Sequence, residues 1–283
     1  MSTSALDEST WSASKELRGR GAPDPDVLLL MATGVGLLPG AFEARYELPL
    51  EAVAGVPRAW RGLTLRAGDL EGATFWLLDD APSEQGGPGE AWERAFPIWL
   101  AATSGASLCV HTSAGTALGP DGAAARGSLG LLRDHLNLSG TSPLIGLGES
   151  RLGPLFPDQS RTHHAGLRRI ALRTARRLGL EVTEGVAACT AGPAIETAAE
   201  HAWYHRAGAD FAVQELAGPL VAAAHAGLSC LALVALIGAD EGSDPDIAGL
   251  VESAQSMAPG LEDLLRELAP DLARVAFEER EEL

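Results

Sequence analysis

Short apolar runs recur along the chain, and each ends in a glycine or in small polar residues. Runs of this length, bounded by turn residues, are typical of buried β-strands. They cover residues 27–34 (VLLLMATG), 72–80 (GATFWLLDD), 106–115 (ASLCVHTSAG), 127–138 (GSLGLLRDHLNL), 185–191 and 228–238 (LSCLALVALIG). In the third run we expect the strand to end in a turn at the small polar residues HTSAG.

Helical patterns lie between these runs. They cover residues 91–105, 163–180, 198–207 and 218–227, and the tail 246–282 predicts two acidic amphipathic helices. Thr197 followed by Glu200 is a capping-box pattern that starts one of these helices, and Gly208 is placed to end it. Strands that alternate with helices predict an α/β fold with a mostly parallel sheet covered on both faces. The polar residues 1–22 are expected to be loose, and residues 23–283 to form a single domain.

Charge and composition exclude several classes of function. The formal charge of −17 argues against a nucleic-acid partner, because phosphate backbones are bound by an excess of Lys and Arg. No apolar run approaches the roughly 20 residues that a membrane span needs, and the polar start has no apolar leader, so a cytoplasmic location is expected. Cys109, Cys189 and Cys230 lie in apolar runs without metal-ligand spacing, which predicts buried thiols and no metal site.

Glu196 stands out in the segment EGVAACTAGPAIETAAE (184–200). It follows an apolar strand and precedes the predicted helix cap by one residue. Open α/β sheets bind ligands at the carboxyl ends of their strands, so this position suits a binding carboxylate. A solvated loop acid, stabilised slightly by the helix dipole, explains the same position. Position alone leaves both interpretations open.

Two other strand ends have a similar composition. ATGVG (32–36) can present backbone N–H groups and the Thr33 hydroxyl to an anion. HTSAGT (111–116) is small and polar, as a site that needs close backbone approach would be. These features indicate a ligand site without naming the ligand.

The order of the segments resembles the trimeric purine nucleoside phosphorylase family over residues 27–240. The matching stretches are ATGVG (32–36), HTSAG (111–115), GSLGLLRDHLNLSGTSPL (127–144), LFPDQS (155–160), EGVAACTAGPAIETAAE (184–200) and GADFAVQELAGPLVAAAHAGL (208–228). The resemblance implies a mixed, mostly parallel, twisted sheet, distorted and barrel-like, with flanking helices. It also implies a homotrimer in which a neighbour's residue completes each site. The implied partner is a purine nucleoside or base, with inorganic phosphate as co-substrate and no cofactor.

The resemblance also assigns roles to individual residues. Glu196 would read the purine edge by hydrogen bonds, and Ile195 takes the place of a Phe beside it, which shortens the apolar wall of the pocket. Ser113, Ala114 and Gln214 would line the substrate pocket. Thr33 and Thr112 would contact phosphate, since Thr33 keeps the hydroxyl of a family Ser.

The phosphate site departs from the family pattern. The family's loop with a phosphate-binding Arg and His is replaced by DDAPSEQGGPGEAW (79–92), with no Arg or His before Arg94. Gln214-Glu215 brings an acid to the place of a phosphate-binding Ser, and Gly238 stands where an Asn helps the purine leave. The His expected near the ribose has no counterpart between Ala239 and Met257.

These departures leave two hypotheses. The first is a pentosyltransferase-type enzyme of purine salvage, in which Arg94 or the pair His163-His164 replaces the lost cations, or in which Glu215 activates water for hydrolysis. The second is a relative without catalysis that binds a purine or serves as an assembly partner. His135 is expected to be structural. His201 and His205, one helical turn apart, have no third ligand in the pattern to make a zinc site.

Overall fold

The computed structural model describes residues 4–31, 44–79, 89–119, 127–239 and 247–282. The strands are β1 (Val27–Met31), β2 (Tyr46–Pro49), β3 (Thr64–Leu70), β4 (Ala73–Asp79), β5 (Leu108–Ala117), β6 (Leu129–Asn137), β7 (Val182–Thr190), β8 (Phe211–Gln214) and β9 (Ser229–Ala239). The helices are α1 (Ala5–Gly19), α2 (Phe96–Ser104), α3 (Ala165–Arg177), α4 (Ala198–Arg206), α5 (Ala217–Ala226) and α6 (Ile247–Glu282).

The strands form one mixed sheet that closes partly on itself. Their order is β2-β3-β4-β1-β5-β8-β7-β6-β9, and β5 also pairs with β9. The five strands from β5 to β9 therefore form a closed ring, and β1 to β4 extend from it as an open sheet. The predicted α/β fold, with a mixed, barrel-like sheet and flanking helices, is confirmed.

Apolar side chains cover both faces of the sheet. In β1, Leu28 and Leu30 pack with the tryptophans on one face, whereas Val27, Leu29 and Met31 pack against α6 on the other. All five side chains are buried, which explains why the sequence of this strand is continuously apolar. The helices on the two faces thus leave the strand ends as the place where polar groups can meet.

The beginning of the chain differs from the expected loose segment, because residues 5–19 form α1. Leu6, Ala13 and Leu17 are buried along one side of this helix. The carboxylate of Asp7, also buried, accepts hydrogen bonds from Ser150 Oγ at 2.6 Å and from the Arg151 N–H at 3.2 Å. The apolar stripe is short and lies among polar residues, so its burial depends on segments distant in the chain, chiefly α2.

Two further element predictions were wrong. The tail forms one helix, α6, although it contains Pro259 and Pro270. One stripe of buried side chains runs along the helix past both prolines, and it includes Met257, Leu261, Leu268 and Leu272. The packing of this stripe outweighs the tendency of proline to break a helix. The residues HTSAG do not form a turn, because β9 pairs with β5 as far as Ala117.

Among the described residues no helix is both long and apolar enough to span a bilayer.

Candidate functional site

Glu196 lies in the short connection between β7 and α4. The predicted capping box is confirmed: Thr197 Oγ1 accepts from the Glu200 N–H at 3.3 Å, and Glu200 Oε2 accepts from the Thr197 N–H at 2.7 Å. This reciprocal pair fixes the first turn of α4. Glu196 is therefore held one residue before a defined helix start, where the helix dipole favours a negative charge.

Three elements converge on the Glu196 carboxylate. Thr190 Oγ1, at the end of β7, donates to Oε1 at 2.6 Å, and Gln214 Nε2, at the end of β8, donates to the same oxygen at 3.3 Å. His201 Nε2 of α4 lies 3.9 Å from Oε2. Only 9% of the Glu196 side-chain surface is exposed. The interpretation as a solvated loop acid is therefore wrong.

The charge state of Glu196 follows from these contacts. Burial raises the pKa of its carboxyl group, but the nearby His201 ring and hydrogen bonds from Thr190 and Gln214 outweigh burial and bring that pKa down to about 2. The group is thus an ionised carboxylate at neutral pH, and it acts only as a hydrogen-bond acceptor. Sequence reasoning missed Thr190 and gave His201 no role here, although Thr190 ends the predicted strand and His201 lies one turn into the predicted helix.

Gln214 is built into the same connection. Its Nε2 also donates to the Ala194 carbonyl at 2.9 Å. At Gly192 φ is +62°, and a Cβ there would lie 2.4 Å from Gln214 Oε1, so only glycine fits. Ile195, the neighbour of Glu196, remains partly exposed. The connection between β7 and α4 thus packs on the end of β8.

The small residues of β5 lie next to this cluster. Gly115 is the register partner of Val213 in the antiparallel pairing of β5 with β8. That pairing runs from Gly115 to Ala117, and Ala114 and Ser113, which precede it on β5, pair with Ala235 and Val234 of β9. Ser113 is buried, and Thr112 is buried with its hydroxyl 3.8 Å from the Met31 sulfur. The structure therefore brings Gln214 and Glu196 together, and it places Ala114 and Ser113 on β5 one and two residues before the pairing with β8.

An ion pair stands next to this region. Arg94 Nη2 lies 2.6 Å from Glu215 Oε2, and the Glu215 N–H donates to the Thr190 carbonyl at 2.8 Å. Glu215 has a φ of +58°, which costs a residue with a side chain on the order of 1 kcal/mol. Burial raises the pKa of the Glu215 carboxyl group, and Arg94 opposes that rise. The acid that replaces a family Ser is thus held by the cation that sequence reasoning offered for phosphate.

The other cationic candidates are placed elsewhere. His164 caps α3, where its Nδ1 accepts from the Leu167 N–H at 2.9 Å, and His163 lies against His135. In the part of the chain that the structure describes, neither histidine forms a hydrogen bond or ion pair with Glu196 or Glu215. Thr33 and the segment ATGVG lie outside the described residues, as do residues 80–88 of the replaced loop.

Comparisons with known proteins agree with this geometry. A model of the phosphorylase superfamily matches residues 36–269. Purine nucleoside phosphorylase 1 of Geobacillus stearothermophilus is 29% identical over 225 residues, which are 78% of this chain and 81% of that protein. Purine nucleoside phosphorylase 1 of Bacillus subtilis is 27% identical over 222 residues, 77% of this chain and 80% of that protein.

Solved structures share the fold. Isoform 2 of the purine nucleoside phosphorylase from Schistosoma mansoni, determined with cytosine and ribose-1-phosphate, superposes with a TM-score of 0.84 at 21% identity, over 95% of this chain and 98% of that one. The family model covers both strand ends that hold Glu196. The chain therefore belongs to the phosphorylase superfamily, as a protein similar to the purine nucleoside phosphorylases.

Proposed function

We propose that this protein binds a purine nucleoside through Glu196 and cleaves its N-glycosidic bond, with inorganic phosphate as the acceptor of the sugar. The observation that supports this most is the buried, ionised Glu196 carboxylate at the ends of β7 and β8. Such a group is costly to bury unless it has partners, and here hydrogen bonds hold it in one orientation. A preorganised acceptor of this kind suits recognition of a ligand that presents N–H groups.

The chemistry of the carboxylate defines the base that fits. An ionised carboxylate accepts hydrogen bonds and donates none. A purine with an oxygen at position 6 presents N1–H, and guanine adds an amino group beside it, so two donors can face the two carboxylate oxygens. Adenine presents an unprotonated N1 that would face the same charge. We therefore propose a 6-oxopurine, with Ile195, Ser113 and Ala114 forming the wall of its pocket.

The binding of phosphate needs cationic or hydrogen-bond donors beside the sugar. Cleavage needs an anion held beside the sugar, and preorganised donors supply much of the rate. Arg94 is the cation that contacts the end of β8, but Glu215 occupies its Nη2. Phosphate must therefore either replace the Glu215 carboxylate on Arg94 or bind the guanidinium beside it. Thr33 and Thr112 remain proposed phosphate contacts.

Glu215 also favours a second candidate function. A carboxylate close to a phosphate dianion repels it, and the repulsion grows as water is excluded. A relative that binds the purine but transfers the sugar slowly, or not at all, would tolerate this acid. Hydrolysis is the intermediate case, because a carboxyl group whose pKa is raised by burial is better suited to take a proton from water.

Replacing Glu196 tests base recognition. We expect Glu196→Gln to weaken binding of guanine by at least about tenfold in calorimetry, because a hydrogen bond to a charged group contributes about 1.5–3 kcal/mol. Release of base from inosine or guanosine with phosphate should fall in parallel. Glu181→Gln, an exposed acid just before β7, is the matched control and should change neither value. Equal affinity in the Glu196 variant and the control would contradict the assignment.

Replacing Glu215 separates the candidate functions. We expect Glu215→Ser to lower the KM for phosphate by at least about tenfold in steady-state assays of base release, because it removes the repulsion between two anions. Glu149→Ser, at an exposed loop position, serves as the control. A KM unchanged by Glu215→Ser argues against the phosphate site. Base release that needs no phosphate and is lost in Glu215→Gln indicates hydrolysis, and no release in any variant indicates a binding protein.

We also propose that the chain is a homotrimer. Ile145, Leu155 and Phe156 are large apolar residues of one loop segment, and Phe156 is 89% exposed. Exposed apolar side chains grouped in this way suit a protein interface. A cytoplasmic location and a role in purine salvage remain predictions from the family resemblance. Because α1 packs into the same core as the residues after position 23, we propose one domain that includes α1.

Phe156→Ser tests the interface. We expect this variant to shift the molar mass measured by light scattering from about three chains towards one, because an aromatic anchor contributes strongly to an interface. Phe277→Ser alters an exposed aromatic on α6 and should leave the mass unchanged. A trimer that is equally stable in both variants would show that Phe156 is not part of the interface.

A further inference from the structure

Three side chains with metal-ligating atoms meet on β6 and just before α3. One ligand atom each of Asp134, His135 and His163 lies within 4.8 Å of the other two. His135 Nδ1 and His163 Nε2 are only 3.1 Å apart. We propose that Asp134, His135 and His163 form a binding site for a divalent transition-metal ion of the Zn²⁺ class. The site is separate from the carboxylate that the proposed function uses.

The backbone around His163 holds its ring in place. His163 forms an isolated parallel bridge with Cys230 at the start of β9. The residues on either side complete it: the Cys230 N–H donates to the Thr162 carbonyl at 2.8 Å, and the His164 N–H donates to the Cys230 carbonyl at 2.9 Å. His163 is only 9% exposed. A ligand held by a sheet in this way loses little freedom when an ion binds.

Asp134 and His135 are placed together by an irregularity of β6. The register of β6 with β7 shifts between Leu132 and Asp134. Successive side chains of a regular strand point to opposite faces, which would separate the two residues. Here Asp134 Oδ1 accepts from the His135 N–H at 2.8 Å, so the carboxylate folds back towards its neighbour. Strand irregularities of this kind often re-aim a side chain at a site.

The two ring nitrogens suit a shared ion. Without an ion, one of the two rings must donate an N–H to the lone pair of the other, because only one hydrogen fits between His135 Nδ1 and His163 Nε2. With an ion, both lone pairs can bind the metal. Zinc binds imidazole nitrogen at about 2.0–2.1 Å, which at a tetrahedral angle sets two such nitrogens about 3.4 Å apart. The observed 3.1 Å therefore needs a shift of only a few tenths of an ångström. Two imidazoles and one carboxylate, without a thiolate, are donors that suit Zn²⁺ and neighbouring divalent ions.

A cavity borders His163, one of the three proposed ligands. His163 lines a cavity of about 550 Å³, whose wall also includes Arg133 and Asp158. Zinc sites with three protein ligands usually keep the fourth position for water or another small ligand. The alternative is a purely structural contact, since the His135 and His163 rings also pack edge to face with centroids 5.3 Å apart. Metal titration separates the two.

The test is a calorimetric titration of the full chain with ZnCl₂ after treatment with a chelator. We expect one Zn²⁺ per chain, and an affinity at least about tenfold lower in both His163→Gln and Asp134→Asn, since even supporting residues of a metal site contribute about 10- to 100-fold. His205→Gln, an exposed histidine on α4, is the matched control and should bind as the unaltered chain does. Co²⁺ should give visible absorption bands that His163→Gln removes.

The outcomes are distinct. Absence of Zn²⁺ binding to the unaltered chain, or equal affinity in Asp134→Asn and His205→Gln, would overturn the proposal. If circular dichroism shows that His163→Gln is unfolded, Asp134→Asn decides, because Asp134 is exposed and its replacement removes no buried packing. Glu196→Gln should keep the Zn²⁺ site, so this result stands whether or not the purine assignment does.

Discussion

The parallel pairing of β7 with β8 is the constraint on which the candidate site depends. Thr190 and Gln214 are register partners at the ends of these strands. Partners in a sheet point to the same side, so the hydroxyl and the amide reach the same oxygen of Glu196. The site is therefore a product of strand register rather than of a flexible loop.

The same pairing explains why charge at this end of the sheet is balanced in two separate ways. Glu196 is compensated by neutral donors and by His201. Glu215, one residue beyond Gln214, is compensated by Arg94, which comes from a turn before α2. In our proposal the first acid receives the base, whereas the second is already paired with the cation that an anionic ligand would need. The proposed base site and the proposed phosphate site differ in this respect.

Sequence patterns predicted the parts of the fold that local chemistry decides. The apolar runs of β1, β4, β7 and β9 and the capping box of α4 need no distant partner to be recognised. The patterns failed where the partner is distant: α1 is buried against α2, and β5 continues through HTSAG because β9 pairs with it. Each of these depends on contacts formed only in the complete fold.

The candidate site likewise contains residues that local sequence predicts and residues that only the complete fold brings together. Glu196 could be placed from its position after a strand and before a capping box, and its resemblance to a family motif gave it a role. The ion pair of Arg94 with Glu215 joins residues 121 positions apart, and His135 meets His163 across 28 positions. No spacing rule covers such pairs, because the barrel closure and the bridge of His163 to β9 create them.

The most direct measurement is a crystal structure of the full chain with guanine at neutral pH. Our account predicts the base at the ends of β7 and β8, with its N1–H and amino group about 2.7–3.2 Å from the Glu196 carboxylate oxygens. Thr190 and Gln214 should still donate to that carboxylate. A base bound elsewhere, or one that binds here without contacting Glu196, would contradict the central claim that this buried carboxylate is built to recognise a purine.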